Sequence, residues 1–144
     1  MLLPSLRLPF SFFPARMSLF LGFVLLVLTT SCSSNRVAFG EKGYTEKGTA
    51  SYYSNKLRGN KMANGQRYRP GKRTAAHPKL PLGTTVRVTN ARNGRSVKVK
   101  ITDRGPHTKG RILDVSMAAA KKLDMVKSGT AKVQVKVLKP AAGK

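Results

Sequence analysis

Proton-transfer or metal chemistry in this chain of 144 residues has to draw on five acidic residues, two histidines and one cysteine, set among 28 lysines and arginines. Asp103 is the most informative of these. It closes the run SVKVKITD, in which Val97, Val99 and Ile101 alternate with polar residues. Continuing that alternation gives Asp103 the facing of the aliphatic residues, just where the strand runs out into Arg104-Gly105-Pro106. Two readings are open for an acid so placed. It can brace loop amides or pair with Arg104, or it can be a site residue at the mouth of a small barrel. His77 and His107, with no second cysteine to join Cys32, do not make a structural zinc set. No GxGxxG, GxxxxGK[ST] or HExxH motif occurs, so neither a metal nor a cofactor is expected.

The elements that must position Asp103 begin with a hairpin. Asn93-Gly94 is the strongest turn signal in the chain, because a two-residue type I′ loop needs positive φ at both positions. Such a loop would pair Arg92 with Arg95, Val88 with Val99 and Val86 with Ile101, giving a core face of Val86, Val88, Val97, Val99 and Ile101. The other face would set Arg87 against Lys100 and Thr89 against Lys98. Opposed like charges are unfavourable unless water or an anion lies over them, so that face must be wet. Downstream, Arg111–Val115 reads as a short strand, and Ser116 as the N-cap of a helix from Met117 to about Leu123. Met117, Ala120 and Leu123 recur at helical spacing, with Lys121 and Lys122 in the last turn. Residues 129–137 alternate cleanly, placing Ala131, Val133, Val135 and Val137 on one face of a closing strand.

Upstream, Gly48–Tyr53 has strand character and starts the domain, and residues 54–73 form a long loop or two turns around a short strand, with Asn64-Gly65 and Pro70-Gly71 as turn signals. Tyr52, Tyr53 and Tyr68 lie among Lys56, Arg58, Lys61 and Arg67. They can stack on sugars or bases, or pack over a small core with their hydroxyls at the surface. Short strands, one short helix and a wet outer face predict a mostly β fold closed into a small barrel, since closure removes exposed edges.

The formal net charge is +23. Leu19–Leu28 is a ten-residue apolar run preceded by Arg7 and Arg16; a bilayer span needs about 20 residues, so the run suits the central region of a signal peptide. Thr29-Thr30-Ser31 then lead into Cys32, the pattern of a bacterial lipoprotein signal in which the cysteine becomes the lipidated first residue. Either Met1 or Met17 can be the start. The expected organisation is a signal peptide over 1–31, lipidated Cys32 with a tether over 32–47, a barrel domain over 48–138 and a tail over 139–144. Loss of residues 1–31 removes two arginines and no acid, leaving a net +21. That charge demands an anionic neighbour. Export excludes nucleic acid and leaves lipid head groups, anionic envelope polymers and the carboxylates of peptidoglycan.

At GTASYY, MANGQRY, TAAHPKLPLGTTVRVTN, GRSVKVKITDRGP and GRILDVSMAAAKKL the sequence resembles the rare lipoprotein A family, over roughly Gly48 to Leu138. The resemblance implies a six-stranded double-psi β-barrel with one short α-helix, and a lytic transglycosylase that cleaves peptidoglycan strands lacking stem peptides to 1,6-anhydro products. It implies an envelope protein anchored to the membrane through Cys32, facing the periplasm and held in the outer membrane, with peptidoglycan glycan strands and division-site proteins as partners. Carried over by motif, its site falls on Gln66, His77 and Asp103, and the wider barrel group adds Asp114. Tyr52, Tyr53, Asn64, Tyr68 and Arg104 would line the substrate. Gln66 departs from the pattern, which has glutamate there. Lytic transglycosylation needs a proton delivered to the leaving glycosidic oxygen and later recovered from the C6 hydroxyl, and one carboxyl can do both; an amide can do neither. The proton must then come from Asp103 or Asp114, with His77 shuttling it or orienting an aspartate and Gln66 positioning the sugar. The alternative is a barrel that binds glycan without cutting it.

Overall fold

The structure is a computed structural model that describes residues 37–142; the signal peptide and Cys32 expected from the sequence lie outside that range. Among the described residues the elements follow in the order β1 (Thr45–Tyr52), a 3₁₀ turn (Asn55–Leu57), β2 (Thr74–Ala76), β3 (Thr85–Asn90), β4 (Ser96–Asp103), β5 (Arg111–Val115), α1 (Met117–Leu123) and β6 (Ala131–Lys139). The strands close into a barrel in the spatial order β1-β5-β2-β4-β3-β6. Two pairs, β1 with β5 and β2 with β4, are parallel, and the other four are antiparallel. The mostly β class, the closed six-stranded barrel and the short α-helix after β5 agree with the sequence reading.

Alternation builds the interior. Val86, Val88, Val99, Ile101, Leu113, Val115, Val135 and Val137 point inward and are essentially inaccessible to solvent. Each such aliphatic side chain contributes about 1.5–3 kcal/mol of burial free energy. Helix α1 is capped at its start by the Ser116 hydroxyl, which accepts from the Ala119 amide. It ends at Asp124, whose left-handed backbone lets its amide reach the carbonyls of Ala120 and Lys121. Ala119, Ala120 and Leu123 are its buried face.

The β3–β4 hairpin differs from the two-residue loop expected at Asn93-Gly94. Asn90 N–H donates to the Arg95 carbonyl at 2.9 Å, which leaves a four-residue loop over 91–94. Gly94 has positive φ and Asn93 does not. The reason lies in the asparagine side chains. Asn93 Oδ1 accepts from the Arg95 amide, Asn90 Oδ1 accepts from the Arg92 amide, and both Nδ2 groups donate to the Leu123 carbonyl at the end of α1. These amides fasten the loop to the helix end, which a tight two-residue loop would not do. The register moves by two, pairing Val86 with Val99, Val88 with Val97 and Arg87 with Lys98. A shift of two preserves the facing of every side chain, so the expected core face survives.

The barrel also begins earlier than the expected tether allows. Strand β1 starts at Thr45, Gly43 N–H donates to the Val137 carbonyl, and Val137 N–H donates to the Tyr44 carbonyl. Residues 43–47 therefore belong to the folded domain.

Candidate active site

Asp103 ends β4 at a bulge. Ala75 pairs with Ile101 but Ala76 pairs with Asp103, so Thr102 is the extra residue, and it is buried with its hydroxyl against Met62 Sδ at 3.4 Å. Asp103 is half-buried and both its oxygens are engaged. Oδ1 accepts from the amides of Ala63 (2.8 Å) and Arg104 (2.9 Å), and Oδ2 accepts from the Tyr53 hydroxyl (2.9 Å). Loop bracing is thus one thing that Asp103 does, and the braced loop carries Gln66. Residues 60–68 fold into a narrow hairpin in which Met62 N–H donates to the Gln66 carbonyl and Lys61 bridges Arg67. Its tip is Asn64-Gly65, with Gly65 at φ +84°. Asn64 Oδ1 accepts from the Gln66 amide, and Asn64 Nδ2 donates to Gln66 Oε1 at 3.3 Å. Through Ala63, Asp103 holds this tip, and with it the exposed Gln66 side chain, over the end of β4.

Asp114 reaches the same neighbourhood by register. Ala76 on β2 pairs with Asp103 on one side and with Asp114 on β5 on the other. The two aspartates therefore share one cross-strand row, with backbones roughly 10 Å apart by two strand spacings. Asp114 Oδ2 meets Arg111 Nη2 at 3.3 Å, while Oδ1 is buried without a hydrogen-bond partner among the described residues. Burial pushes its carboxyl above the usual carboxylate range, against the opposing charges of Arg111 and His107. Tyr53 hydrogen-bonds Asp103 and feels the charge of Asp114. Its hydroxyl is pushed far above its ordinary value, first by burial, then by the hydrogen bond and charge of Asp103, and further by the charge of Asp114. It stays a donor at any physiological pH. Tyr68 stacks beside it with ring centroids 5.1 Å apart.

His77 departs from its expected role. Its backbone N–H donates to the Asp103 carbonyl, but its ring turns into the protein and is 1% exposed. Nδ1 accepts from the amides of Lys79 (3.1 Å) and Leu80 (2.9 Å), so it carries no proton, and Nε2–H donates to Glu46 Oε2 at 3.0 Å. A ring with both nitrogens so committed is a strut between β1 and the loop after β2. It orients neither aspartate.

Three expected substrate residues are likewise spent on the fold. The Tyr52 hydroxyl donates to the Val126 carbonyl and its ring packs on the core. Tyr68 is 3% exposed, and its oxygen accepts from the Met117 amide. The Arg104 guanidinium donates to the carbonyls of His77 and Leu80. Tyr53 and Asn64 do lie at the site. Sequence reasoning passed over Glu46, which sat inside the expected tether, and His107, whose charge acts on Asp114. No local pattern marks Glu46, because its partner is 31 residues away. Among the described residues no three His, Cys, Asp or Glu side chains converge as a metal site.

Comparison with known proteins identifies the family and the fold. The profile of the double-psi barrel family described as lytic transglycolase matches residues 45–135. The chain is 46% identical over 105 residues to the endolytic peptidoglycan transglycosylase RlpA of Vibrio cholerae, covering 73% of this chain and 40% of that protein. It is 52% identical over 94 residues to a probable enzyme of the same name from a Nostoc species, covering 64% and 25%, and 43% identical over 128 residues to one from Aquifex aeolicus, covering 88% and 56%. The matched stretch thus spans between a quarter and somewhat over half of these relatives. Among solved structures, a Streptomyces papain inhibitor superposes with a TM-score of 0.54 at 24% identity, over 68% of this chain and 97% of that one. The apo expansin of Clavibacter michiganensis gives 0.54 at 23%, over 69% and 53%; at such identities the likeness concerns the fold alone. A family profile that runs from the first strand into the last, over the barrel whose mouth holds Asp103 and Asp114, shows that this chain belongs to the double-psi β-barrel lytic transglycosylase family.

Proposed function

We propose that the chain is an endolytic peptidoglycan lytic transglycosylase in which Asp114 carries the proton and Asp103 builds the platform. The observation that supports this assignment is the contrast between the two acids. Asp103 has three donors on its two oxygens, whereas Asp114 keeps one buried oxygen bare, and burial pushes its carboxyl toward the protonated form that a general acid needs. In the reaction the Asp114 carboxyl gives its proton to the glycosidic oxygen as the bond from C1 breaks. The C6 hydroxyl oxygen then bonds to C1 and returns its proton to the Asp114 carboxylate, closing the anhydro ring without consuming water. Gln66, at the hairpin tip, donates and accepts hydrogen bonds to the sugar. The same tip favours a second reading, a glycan-binding barrel, because an exposed amide there can hold a sugar but cannot move its proton.

Mass spectrometry of products released from sacculi denuded of stem peptides separates these readings. Asp114→Asn should lower release of 1,6-anhydro products by about 10²- to 10⁴-fold, the worth of general acid/base catalysis, and Gln66→Glu should raise it. Undiminished turnover in Asp114→Asn would remove that residue from the chemistry. No anhydro product from wild type or from folded Gln66→Glu would leave the binding reading. The proposal extends to an envelope location, with the chain anchored by lipid on Cys32, facing the periplasm from the outer membrane and working beside division-site proteins.

A further inference from the structure

The outer wall of the barrel sets cation against cation. Lys98 on β4 is in register with Arg87 on β3, and Arg87 is in register with Lys136 on β6, so three positive side chains stand in one row across three adjacent strands. In the neighbouring row Lys100 and Lys139 flank Thr85. All five are exposed, and none forms an ion pair among the described residues. Arg73 and Lys122 join Arg87 and Lys98 around a shallow depression of about 460 Å³ on the same wall. Strands β3 and β6 contain no acid, and β4 has none before Asp103. Like charges directly opposed across a sheet destabilise it, and a single Thr or Gln in place of Arg87 would relieve the row. Water or an anion lying over the row offsets that repulsion, and an anion does so most strongly.

The identity of such an anion follows from what the wall lacks. No aromatic side chain occurs on β3, β4 or β6, so the wall has no platform on which sugar rings or bases could stack. Its charged groups are all cations, among them a guanidinium fork suited to planar oxyanions, and its other polar side chains are only the short hydroxyls of Thr85, Thr89 and Ser96 and the Gln134 amide. We propose that the outer face of β4, β3 and β6 is a non-catalytic docking surface for the peptidoglycan wall, which it grips through ionised carboxylates and not through sugars. This rests on the transglycosylase reading for the identity of the polymer. In the barrel order β3, at the centre of this wall, lies opposite β5, which carries Asp114, and β4 reaches the mouth only at its last residue, Asp103. One molecule can therefore hold the mesh on its wall while its mouth engages a strand.

The test uses the full chain kept in non-ionic detergent and measures its binding to three preparations: native sacculi, sacculi whose carboxylates have been amidated, and native sacculi at raised salt. Arg87→Ser/Lys98→Ser/Lys136→Ser is compared with Arg58→Ser/Lys79→Ser/Lys127→Ser, which removes the same charge from exposed residues elsewhere. The wall variant should bind native sacculi on the order of 10- to 100-fold more weakly than wild type, from three surface ion pairs, and the control only a few-fold more weakly. Amidation should weaken wild type by as much as the wall substitutions do. Because the wall variant loses a repulsion, its urea midpoint should equal or exceed that of wild type; should it nonetheless fail to fold, Lys98→Gln/Lys136→Gln makes the same comparison. Equal losses in wall and control variants would mean that net charge alone acts and would overturn the proposal. Unchanged binding to amidated sacculi would overturn it too, since phosphate or sugar would then be the ligand. Asp114→Asn should bind as wild type does. A wall variant that binds normally removes the docking surface and leaves the chemistry standing, whereas Asp114→Asn that cuts normally does the reverse.

Discussion

Replacing His77 distinguishes a strut from a proton carrier. Nδ1 holds two backbone amides, one of them buried, and Nε2–H holds Glu46. In His77→Asn the side-chain oxygen comes close to the place of Nδ1, so the bonds from Lys79 and Leu80 can persist while the bond to Glu46 is lost. A hydrogen bond to a charged partner contributes about 1.5–3 kcal/mol, so His77→Asn should cost about 2 kcal/mol. His77→Ala strands both amides as well, at about 1–3 kcal/mol each, and leaves a cavity. Its loss should come to about 4–8 kcal/mol, a large part of the stability of a domain this size. Urea unfolding followed by far-ultraviolet circular dichroism measures both.

The pH dependence supplies a second readout. Burial lowers the His77 pKa, Glu46 pulls it back up, and the charges of Arg104 and Lys79 lower it again, for a net value below the ordinary 6.5. Between the folded value and 6.5 the unfolded chain binds more protons than the folded one. Stability therefore rises with pH through that window; the contribution is complete above about 6.5 and is lost as pH falls through the folded value. His77→Asn should remove this part of the slope. As a strut, folded His77→Asn keeps its rate within several-fold of wild type, whereas a proton shuttle would lose 10²-fold or more. A variant with the wild-type midpoint and pH slope but with turnover gone would refute the reasoning.

Two further outcomes are expected. Tyr53→Phe keeps the ring against Tyr68 but leaves Asp103 Oδ2 without its donor at 2.9 Å, and it should lower the unfolding free energy by about 1.5–2 kcal/mol; an unmoved urea midpoint would deny the bond its importance. Cells fed a labelled fatty acid should label the wild-type chain and leave Cys32→Ala unlabelled, and label retained in that variant would place the anchor elsewhere or nowhere.

Much of the fold was legible because alternation and helical spacing are local signals. Strand β5 and helix α1 fall where their spacing and the Ser116 cap put them, and the inward face of β3, β4 and β6 is as expected. The hairpin register was not legible, because the choice between a two-residue and a four-residue loop is made by Leu123, whose carbonyl captures Asn90 and Asn93 from about 30 residues away. The strand period brought Asp103 to the end of β4 but gave it the wrong facing: the bulge at Thr102 sets it opposite Ala76, in the row of Asp114 and on the face away from Ile101. That it would serve as the anchor of the 60–68 hairpin was not legible, because Ala63 contributes only a backbone amide and no residue type marks it. His77 misled for a related reason. A histidine that accepts from amides two and three residues ahead is a local cap, but its partner Glu46 lies on a strand hidden by the low periodicity of residues 33–47.

The proposed division of labour between the two aspartates changes how a loss of activity should be read. Asp103 holds Ala63, Ala63 stands beside Asn64, and Asn64 fixes Gln66 through its backbone amide and its side chain. A change at Asp103 therefore removes one of the two ties on the tip that carries Gln66, the other being the Asn64 amide on the Thr102 carbonyl. In Asp103→Asn the new Nδ2 must face either Tyr53 or the two amides: facing Tyr53 it needs that hydroxyl to turn from donor to acceptor, and facing the amides it opposes donor to donor. A dead Asp103→Asn would thus report a displaced hairpin as readily as a missing acid. Asp114 has no such entanglement, because Oδ1 contacts no donor among the described residues and Oδ2 meets only Arg111. Asp114→Asn preserves shape and keeps an acceptor for Arg111, while removing the titratable carboxyl and the charge it sets against Arg111. Of the two substitutions, only Asp114→Asn tests the proton without moving the sugar site, and its effect assigns the chemistry.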